Sequence, residues 1–491
     1  MFCLNKYISI VTLLLIGHPL SAQTQAKLAL GQGMMTGEVS MTSVILQTRL
    51  TAGDQLIDRE LPGHEGRARF EISLDPNFKQ PIQTAWQSAS PELDHLIKST
   101  VKGLIPGQRY YYRVEYGPLQ GRTQLSNVGN FKTHGGAAVV DTVRFAVVTG
   151  MNWHKFHLGT NKPGGSAIYG GKYFYTGPDK HLGFPALESM LEFAPDYFVG
   201  TGDNVYYDGP RSDAATTAET IRRKYHEQFV QPRFKTLFQY VSTYWEKDDH
   251  DHRFNDCDNT GDKEPSPELG IRMFREQLPV VDLSDPLDKT YRTYRINKDL
   301  QVWFTENRDY RSPNSMPDGP EKTIWGAEQK AWLMRTLEES DATFKILISP
   351  TPIIGPDDAY KTDNHVNHQG FRTEGEEFLS WLKQRGFLQK KFYIVCGDRH
   401  WQYHSVHPTG FQEFSTGALV DNNARIGRSP GDPESTDPDG KIRQSWLQSK
   451  ASGGFLIFEV LPKSVNYPAR LVFNFNDVRG NLLYSTTKVA R

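Results

Sequence analysis

The pattern of hydrophobic and polar positions divides the chain into two regions. In the first, residues 27–134, apolar and polar residues alternate in short runs such as 42–49 and 68–73, separated by Asp-Pro and Pro-Gly turns. Such alternation predicts half-buried strands, and many short strands between turns predict a β-sandwich. One tyrosine within 110–112 is expected to form a tyrosine corner, in which its hydroxyl bonds back to the preceding loop.

The second region, residues 142–491, has a different pattern. Apolar runs rich in β-branched and aromatic residues alternate with longer segments of helical period, which is typical of an α/β fold. The predicted strands are 143–148, 197–199, 300–305, 344–348 and 392–395, and the predicted helices are 184–193, 217–230, 326–339 and 375–384. Later runs at 453–460, 469–475 and 482–487 predict hairpins that extend the sheet.

Residues 1–22 have the pattern of a secretory signal peptide. Lys6 precedes an apolar run over 8–16, and small residues lead up to Gln23. The apolar run is too short to span about 30 Å of hydrocarbon. We therefore expect a periplasmic or secreted protein with no membrane anchor after cleavage.

Composition narrows the range of partners. With 56 basic and 57 acidic residues the net charge is -1, so no strong field attracts nucleic acid or an anionic membrane. The expected partner is a small-molecule or saccharide substrate rather than a nucleic acid. At 491 residues the chain is too long for one compact core, which favours two or three domains.

Two cysteines, Cys257 and Cys396, lie outside the predicted leader. In an oxidising compartment they can form a disulfide, which would connect two of the acidic segments described next. The alternative is two separate buried thiols, because cysteine is often fully buried.

Three segments concentrate acidic residues, histidine and asparagine. Segments 199–208 and 393–400 are short apolar strands that stop at Gly-Asp, and segment 247–256 reads Lys-Asp-Asp-His-Asp-His-Arg-Phe-Asn-Asp. One Gly-Asp is ordinary turn chemistry. However, α/β folds build their sites at the carboxyl ends of strands, so three such segments together predict a metal site.

The residue types in these segments suit two metal ions. Hard cations prefer oxygen ligands, and iron also accepts phenolate and imidazole. Asp203 is the candidate bridging ligand, Tyr206 offers a phenolate, Asn255 an amide oxygen, and Asp398 and His400 a further pair. Two metals about 3.5–4 Å apart can activate water, neutralise the transferring group and assist the leaving oxygen. The pattern therefore predicts a metal-dependent ester hydrolase.

Three further residues are candidates for catalysis. His250 lies between two aspartates and can protonate a leaving group or hold the nucleophile while a carboxylate fixes its tautomer; its neighbour Asp249 is the second candidate. The alternative is a structural hydrogen-bond network over 248–250. Arg399 can clamp an oxyanion through its forked donors or pair with a neighbouring carboxylate.

Loops outside the three segments predict substrate contacts. The loop 361–371 carries His365 and His368 ahead of a helix, and either contacts substrate or lies plainly on the surface. Stretches 161–181 and 421–450 predict a rim around the site.

These segments resemble the PhoD-like phosphatases, the alkaline phosphatase D family of the metallophosphoesterase superfamily. Residues 203–206 resemble the Gly-Asp-x-x-Tyr motif, 248–256 the Asp-Asp-His-Asp/Glu…Asn motif and 397–400 the Gly-Asp-x-His motif; 308–311 and 348–356 are similar as well. The resemblance covers nearly the whole chain. It implies a metallophosphoesterase-like α/β sandwich preceded by an all-β sandwich, hydrolysis of phosphate mono- or diesters, and iron with calcium as the metals.

One position departs from that family. Its members often have Ser-Cys after the first catalytic strand, and the thiolate helps to bind iron, whereas Gly150 stands at that position here. Asn152 or His154 can replace the missing ligand, although His154 is equally a packing residue. Zinc and manganese therefore join iron as candidate metals.

Three functions remain open from the sequence. The leading one is an exported, metal-dependent hydrolase of phosphate esters. The second is a sulfate-ester hydrolase that acts on sulfated polysaccharide with the same metals, because a sulfate ester presents similar oxygens. The third is a secreted ligand-binding protein without catalysis, which the glycine at position 150 would suit.

Overall fold

The computed structural model describes residues 27–159, 174–285 and 287–490. The predicted signal peptide and positions 161–173 of the predicted rim lie outside the described residues. Within the described ranges, no helix has the length and apolar character needed to cross a lipid bilayer.

The first region is a β-sandwich, as its alternating pattern predicts. Its strands are β1 (Leu28–Ala29), β2 (Met34–Gly37), β3 (Ser43–Arg49), β4 (Thr51–Ala52), β5 (Gly66–Ser73), β6 (Ile82–Gln83), β7 (Gln87–Ala89), β8 (Leu96–Lys102), β9 (Arg109–Gly117), β10 (Gln124–Leu125) and β11 (Gly129–Lys132). Buried Leu46, Phe70 and Phe131 belong to the core between the two layers. The Tyr110 hydroxyl accepts a 2.9 Å hydrogen bond from the Ile105 N–H, which is the predicted tyrosine corner.

The second region alternates strands and helices. Its strands are β12 (Val143–Val148), β13 (Tyr197–Thr201), β14 (Ser242–Glu246), β15 (Arg292–Arg295), β16 (Leu300–Phe304), β17 (Phe344–Ser349), β18 (Phe392–Cys396), β19 (Gln402–Val406), β20 (Gln412–Thr416), β21 (Arg443–Leu447), β22 (Gly454–Leu461), β23 (Arg470–Asp477) and β24 (Leu482–Val489). Its helices are α1 (Trp153–His157), α2 (Pro185–Glu192), α3 (Ala218–Phe229), α4 (Pro232–Tyr240), α5 (Pro267–Gln277), α6 (Gly326–Glu339) and α7 (Arg372–Gln384).

Two mixed sheets pack face to face in this region. Strands β12, β13 and β14 run parallel in one sheet, and β16, β17, β18 and β20 run parallel in the other. Buried Phe145, Tyr244, Phe304 and Phe473 fill the space between the sheets. Helices α2 to α5 cover the outer face of the first sheet, and α6 and α7 cover that of the second. The fold is therefore the α/β sandwich that the sequence predicts.

One sheet of the β-sandwich continues into the second region. Strand β2 pairs in parallel with β14 at Gly37 and Thr243, so the sheet has the order β24-β23-β22-β12-β13-β14-β2-β3-β8. The hydrophobic pattern did not predict this connection, because strand pairing between distant segments leaves no local signal. The domain limits 27–134 and 142–491 stay a prediction.

The two cysteines are separate buried thiols, which agrees with the second of the two alternatives and not with a disulfide. The Cys257 thiol donates to the Asp249 carbonyl at 3.5 Å, whereas the Cys396 sulfur lies 3.6 Å from the Tyr403 hydroxyl. Burial raises the pKa of Cys257 to about 12, so its thiol is neutral. Each sulfur thus has a hydrogen-bond partner of its own.

We expect both residues to react with a thiol reagent in unfolded, unreduced protein, because neither sulfur is bonded to the other. Alkylation in denaturant followed by peptide mass spectrometry checks this. Recovery of a peptide cross-linked through Cys257 and Cys396 would contradict it.

A buried carboxylate joins the β-sandwich to the helices of the second region. Asp94 accepts hydrogen bonds from Arg49 at 2.7 Å, from the imidazole of His226 in α3 at 2.7 Å and from Gln277 in α5 at 3.0 Å. Burial alone would raise the pKa of Asp94, but His226 and Arg49 outweigh it and hold the pKa well below its ordinary value. The ionised carboxylate is therefore part of the junction.

Replacing Asp94 with Ala should lower the free energy of unfolding by about 3–5 kcal/mol, because Arg49 loses its buried partner. Since the folded-state pKa is depressed, this stabilisation is present above the ordinary aspartate pKa of about 3.9 and is lost as the pH falls below it. Denaturant unfolding at neutral and acidic pH measures both effects. Glu339→Gln, which removes only an exposed pair with Arg335, is the control and should cost less than about 0.5 kcal/mol. Equal losses for the two variants would contradict the assignment.

Candidate metal centre

The acidic segments meet in a cleft of about 970 Å³ at the carboxyl ends of β13, β14 and β18. All five predicted metal ligands line this cleft, together with the predicted catalytic pair: Asp203, Tyr206, Asn255, Asp398, His400, Asp249 and His250. Residues separated by almost 200 positions in the sequence thus share one wall, as expected for parallel strands that end at the same edge.

Glycines allow the two sheets to approach closely at this edge. A Cβ on Gly397 would lie 2.5 Å from the Thr201 Oγ1 atom and 2.7 Å from the Pro350 carbonyl oxygen, so a larger residue would separate the ends of β13 and β18. Asp203 and Asp398 follow these ends and have positive φ angles of 54° and 56°. Such angles are unfavourable for non-glycine residues and concentrate at functional sites.

Asp251 fixes the loop that carries Asp203. Its carboxylate accepts hydrogen bonds from the backbone N–H groups of Asp203 at 3.3 Å, Asn204 at 3.1 Å and Asp248 at 2.7 Å. The sequence placed Asp251 in the acidic segment without a role. Its structural role also explains how the positive φ of Asp203 is maintained.

Asp203 lies at the centre of the wall. Its Oδ2 atom accepts from the Tyr206 hydroxyl at 2.8 Å and lies 3.0 Å from the His400 Nε2 atom. Its buried Oδ1 atom has no hydrogen-bond partner among the described residues. Burial raises the pKa of Asp203 to about 6; Asp249 adds to the increase, while His250 opposes it. One oxygen is thus available to a cation.

The carboxylate that orients His250 is Asp208. The Nδ1 atom of His250 lies 2.7 Å from Asp208, whose other oxygen accepts the Asn255 N–H at 3.0 Å. Asp249 instead accepts the backbone N–H of His250 at 2.8 Å. Burial would lower the pKa of His250, but Asp249, Asp203 and Asp208 raise it well above its ordinary value. The sequence analysis did not identify Asp208; its position two residues after Tyr206, in the same acidic segment, was the signal that could have indicated it.

Two groups of side chains in the cleft have metal-binding geometry. Ligand atoms of Asp203, Asp249 and His250 lie within 4.8 Å of one another, and so do those of Asp249, Asp256 and Asp363. Burial raises the pKa of Asp398, next to these groups, well above its ordinary value; Lys361 opposes the increase, while Asp248 and Asp363 add to it. Buried carboxylates with unpartnered oxygens, a phenol and imidazoles form a donor set that fits hard or borderline metal ions.

The second group already contains a cationic side chain. The Nζ atom of Lys361 lies 2.9 Å from Asp256 Oδ1 and 3.9 Å from an oxygen of both Asp363 and Asp398. The Lys361 side chain is only 9% exposed. The sequence assigned the loop that begins at Lys361 to substrate contact, but it identified neither this lysine nor Asp363 as part of the centre.

Asn423 occupies the space beside Gly150. Its Nδ2 atom donates to the Tyr206 hydroxyl at 2.6 Å and to the Gly150 carbonyl at 3.1 Å, and its Oδ1 atom accepts from Lys155 at 2.6 Å. A Cβ on Gly150, which has a φ of 65°, would lie 3.0 Å from that Nδ2 atom and 3.1 Å from the Cβ of Ala418. Asn423 therefore holds Tyr206 in place; the sequence indicated only that 421–450 forms a rim.

Asn152 and His154, the two candidates to supply the ligand that Gly150 lacks, both line the cleft. The Oδ1 atom of Asn152 accepts the Lys155 N–H at 2.9 Å and caps α1. Burial lowers the pKa of His154, and Lys224 and Arg59 add to the decrease. The structure thus gives Asn152 a capping role and leaves His154 as the candidate with a neutral imidazole.

Three predicted residues do not reach the cleft. Arg399 is fully buried and forms ion pairs with Asp357 and Asp398, which agrees with the ion-pair alternative rather than an oxyanion clamp. His365 is buried against Glu374, 3.0 Å away, and His368 contacts Arg372. Neither histidine belongs to the cleft lining in the described part of the chain, so a contact of either one with substrate stays a prediction.

Solved structures of phosphatases resemble this architecture. A structure described as "Structure of PhoD" matches with a TM-score of 0.69 and 18% identity over 94% of this chain and 89% of that one. The purple acid phosphatase PPD1 from yellow lupin (Lupinus luteus) seeds matches with a TM-score of 0.57 and 12% identity over 93% of this chain and 74% of its own. At these identities the matches show the fold: an α/β sandwich with a β-sandwich before it.

Sequence comparison assigns the family. The chain is 23% identical over 422 residues to alkaline phosphatase D of Bacillus subtilis (strain 168); the match covers 78% of this chain and 66% of the relative, just under two thirds of its length. The model of the PhoD-like phosphatase N-terminal domain matches residues 17–135. The model of the PhoD-like phosphatase matches residues 145–448, more than half of the chain. The protein therefore belongs to the PhoD-like phosphatases, a family of phosphoric ester hydrolases.

Proposed function

We propose that this protein is an exported hydrolase of phosphate mono- or diesters that uses two metal ions, with Asp203 as their bridging ligand. The observation that carries the proposal is the buried Oδ1 atom of Asp203, which has no hydrogen-bond partner among the described residues and lies in a cleft that Asp249, Tyr206, Asn255 and His400 also line. The Oδ2 atom of the same carboxylate contacts Tyr206 and His400.

The metal ions are assigned to four of the five predicted ligands, Asp203, Tyr206, Asn255 and His400, and to Asp249. The fifth predicted ligand, Asp398, lies 3.0 Å from Arg399 and 3.9 Å from Lys361 and is not included. The bound metal ions would supply a nucleophilic water and neutralise charge on the transferring phosphoryl group. Burial lowers the pKa of His400 well below its ordinary value, with Arg425 as a further cause, so its imidazole is neutral and suited to ligation. Iron, zinc and manganese all accept this mixture of oxygen and imidazole ligands.

His250 is assigned the role of general acid. Its Nδ1 atom is held by Asp208, which leaves Nε2 as the nitrogen that can donate a proton to a leaving oxygen. The three surrounding carboxylates keep the imidazole protonated. The ring also lies 4.4 Å from that of Tyr206, which limits its rotation. These contacts pre-orient the donor before substrate binds.

The rim of the cleft suits a small-molecule or saccharide ester. Tyr360, 74% exposed at the mouth, offers a stacking surface for a ring, and Arg211, Lys155 and Arg425 provide positive charge around it. The walls of the cleft are acidic, and the net charge of the chain is -1. Since nucleic acid binding depends on basic residues, nucleic acid is not proposed as a partner.

Chelation should abolish hydrolysis of aryl phosphate mono- and diesters, and Asp203→Asn should lower kcat by about 10³-fold. The reason is that the variant removes charge and a bridge from both metals, whose stabilisation of the transition state is worth several kcal/mol. Steady-state kinetics with metal-reconstituted enzyme measures this, and matched aryl sulfates in the same panel test the sulfatase alternative.

Asp439→Asn is the control, since that residue forms only an exposed pair with Lys441. Full activity of metal-free protein would overturn the proposal. A protein that binds no metal and hydrolyses neither class of ester would instead support the non-catalytic alternative.

Gly397→Ala should reduce kcat by about 10²-fold, because the added Cβ must displace Thr201 or Pro350 and so move the Asp203 and Asp398 loops apart. The same overpacking should cost about 1–3 kcal/mol of stability. Kinetics and denaturant unfolding measure the two effects.

Gly319→Ala provides the matched control, since a Cβ there has no neighbour within 4 Å in the described structure. If Gly397→Ala retained the kcat of the Gly319→Ala variant, the close approach of the two sheets would not be needed for activity.

A further inference from the structure

One region of the cleft combines dense negative charge with a built-in cation. Asp249, Asp256 and Asp363 place ligand atoms within 4.8 Å of one another, and Asp398 borders them. The Nζ atom of Lys361 lies among these carboxylates rather than extending into solvent. We refer to Asp249, Asp256, Asp363 and Asp398 as the lysine-bound cluster.

Three carboxylates of this cluster, Asp256, Asp363 and Asp398, have an oxygen 2.9–3.9 Å from the lysine ammonium group. Arg308 contacts Asp363 through Oδ2 at 3.3 Å and Asp248 at 2.5 Å, so it neutralises the side that faces away from the cleft. The buried Oδ1 atom of Asp363 has no hydrogen-bond partner in the described parts of the chain and lies 3.9 Å from the Nζ atom of Lys361. The positive charge of Nζ therefore lies where the cluster has an uncompensated oxygen.

The loop holds the lysine at that place. The Lys361 N–H donates to the Asp358 carbonyl at 3.2 Å, and the Asp363 N–H donates to the Asn367 side chain at 3.0 Å. The Asp363 carbonyl accepts from Arg311 at 2.5 Å. Lys361 and Asp363 are thus fixed by backbone hydrogen bonds on both sides, and the position of the ammonium group is built into the fold.

We propose that the ammonium group of Lys361 is the resident cation of the lysine-bound cluster and takes the position of a further divalent ion. A calcium ion needs oxygens at about 2.3–2.6 Å, and the cluster offers enough of them only if Nζ leaves. Two cations this close would repel each other strongly in a buried site. The metals of the proposed function therefore bind at the Asp203 end, and the opposite end keeps a positive charge that chelators cannot remove.

Lys361→Met tests this, because methionine has a similar length and no charge. Purified full-length protein is dialysed to equilibrium against Ca²⁺, and bound calcium is measured by elemental analysis. Lys361→Met should bind about one Ca²⁺ ion per chain more than the wild type, since the vacated carboxylates provide oxygen ligands. In thermal unfolding, Ca²⁺ should stabilise Lys361→Met more than it stabilises the wild type.

Two variants serve as controls: one keeps a positive charge at position 361, and the other leaves the lysine-bound cluster unchanged. Lys361→Arg retains a cation and should bind as much calcium as the wild type. Lys322 is also buried but donates to the carbonyls of Asn314 and Gln369, so Lys322→Met removes a buried lysine without opening a carboxylate cluster and should gain no calcium.

A double variant covers the case in which Lys361→Met does not fold without metal. Lys361→Met/Asp363→Asn removes one positive and one negative charge, and it should fold in chelator and bind calcium like the wild type. Equal calcium content in Lys361→Met and the wild type would overturn the inference, as would failure of both variants to fold even with Ca²⁺. The readout is metal content and not turnover, so absence of ester hydrolysis would refute the proposed function alone.

Discussion

The close contact between the ends of β13 and β18 determines the geometry of the whole centre. Gly397 lies so near Thr201 that any side chain would push the two sheets apart. Because the sheets meet there, Asp203 from one and Asp398 from the other line one cleft. The loops after the strands then need positive φ angles at both aspartates, and Asp251 stabilises one of them through three backbone N–H groups. The packing of the two sheets and the strained backbone at both aspartates thus determine where these side chains lie.

Bringing so many carboxylates together has an electrostatic cost. Burial favours the protonated form of Asp203 and Asp398, and each further carboxylate adds repulsion. The chain offsets part of this cost with Arg308 and Lys361, whose charges lie on the two sides of Asp363. In the proposed function, metal ions bound at the Asp203 end would offset the remainder, so their loss would also weaken the fold locally.

The sequence predicted the parts of this protein that have local signals. Strands such as β12 and helices such as α6 have clear periodicity, and the Gly-Asp endings identified Asp203 and Asp398. The pairing of β2 with β14 has no such signal, because it depends on segments about 200 residues apart. The same holds for Asp208, whose contact with His250 depends on how two loops fold against each other. A histidine between two aspartates indicated that a carboxylate would fix its tautomer but did not identify which one, because side-chain contacts depend on the tertiary structure.

Residues in the loops outside the three acidic segments also determine the structure of this centre. Asn423 holds Tyr206 beside a glycine that could not accommodate a larger side chain, so the two positions depend on each other. A side chain at Gly150 would displace the Asn423 amide and release Tyr206, whereas loss of Asn423 alone would leave an empty space there. The Gly150–Asn423 pair therefore fixes the position of the Tyr206 hydroxyl, and in the proposed function it would influence which metal ion this end of the cleft binds.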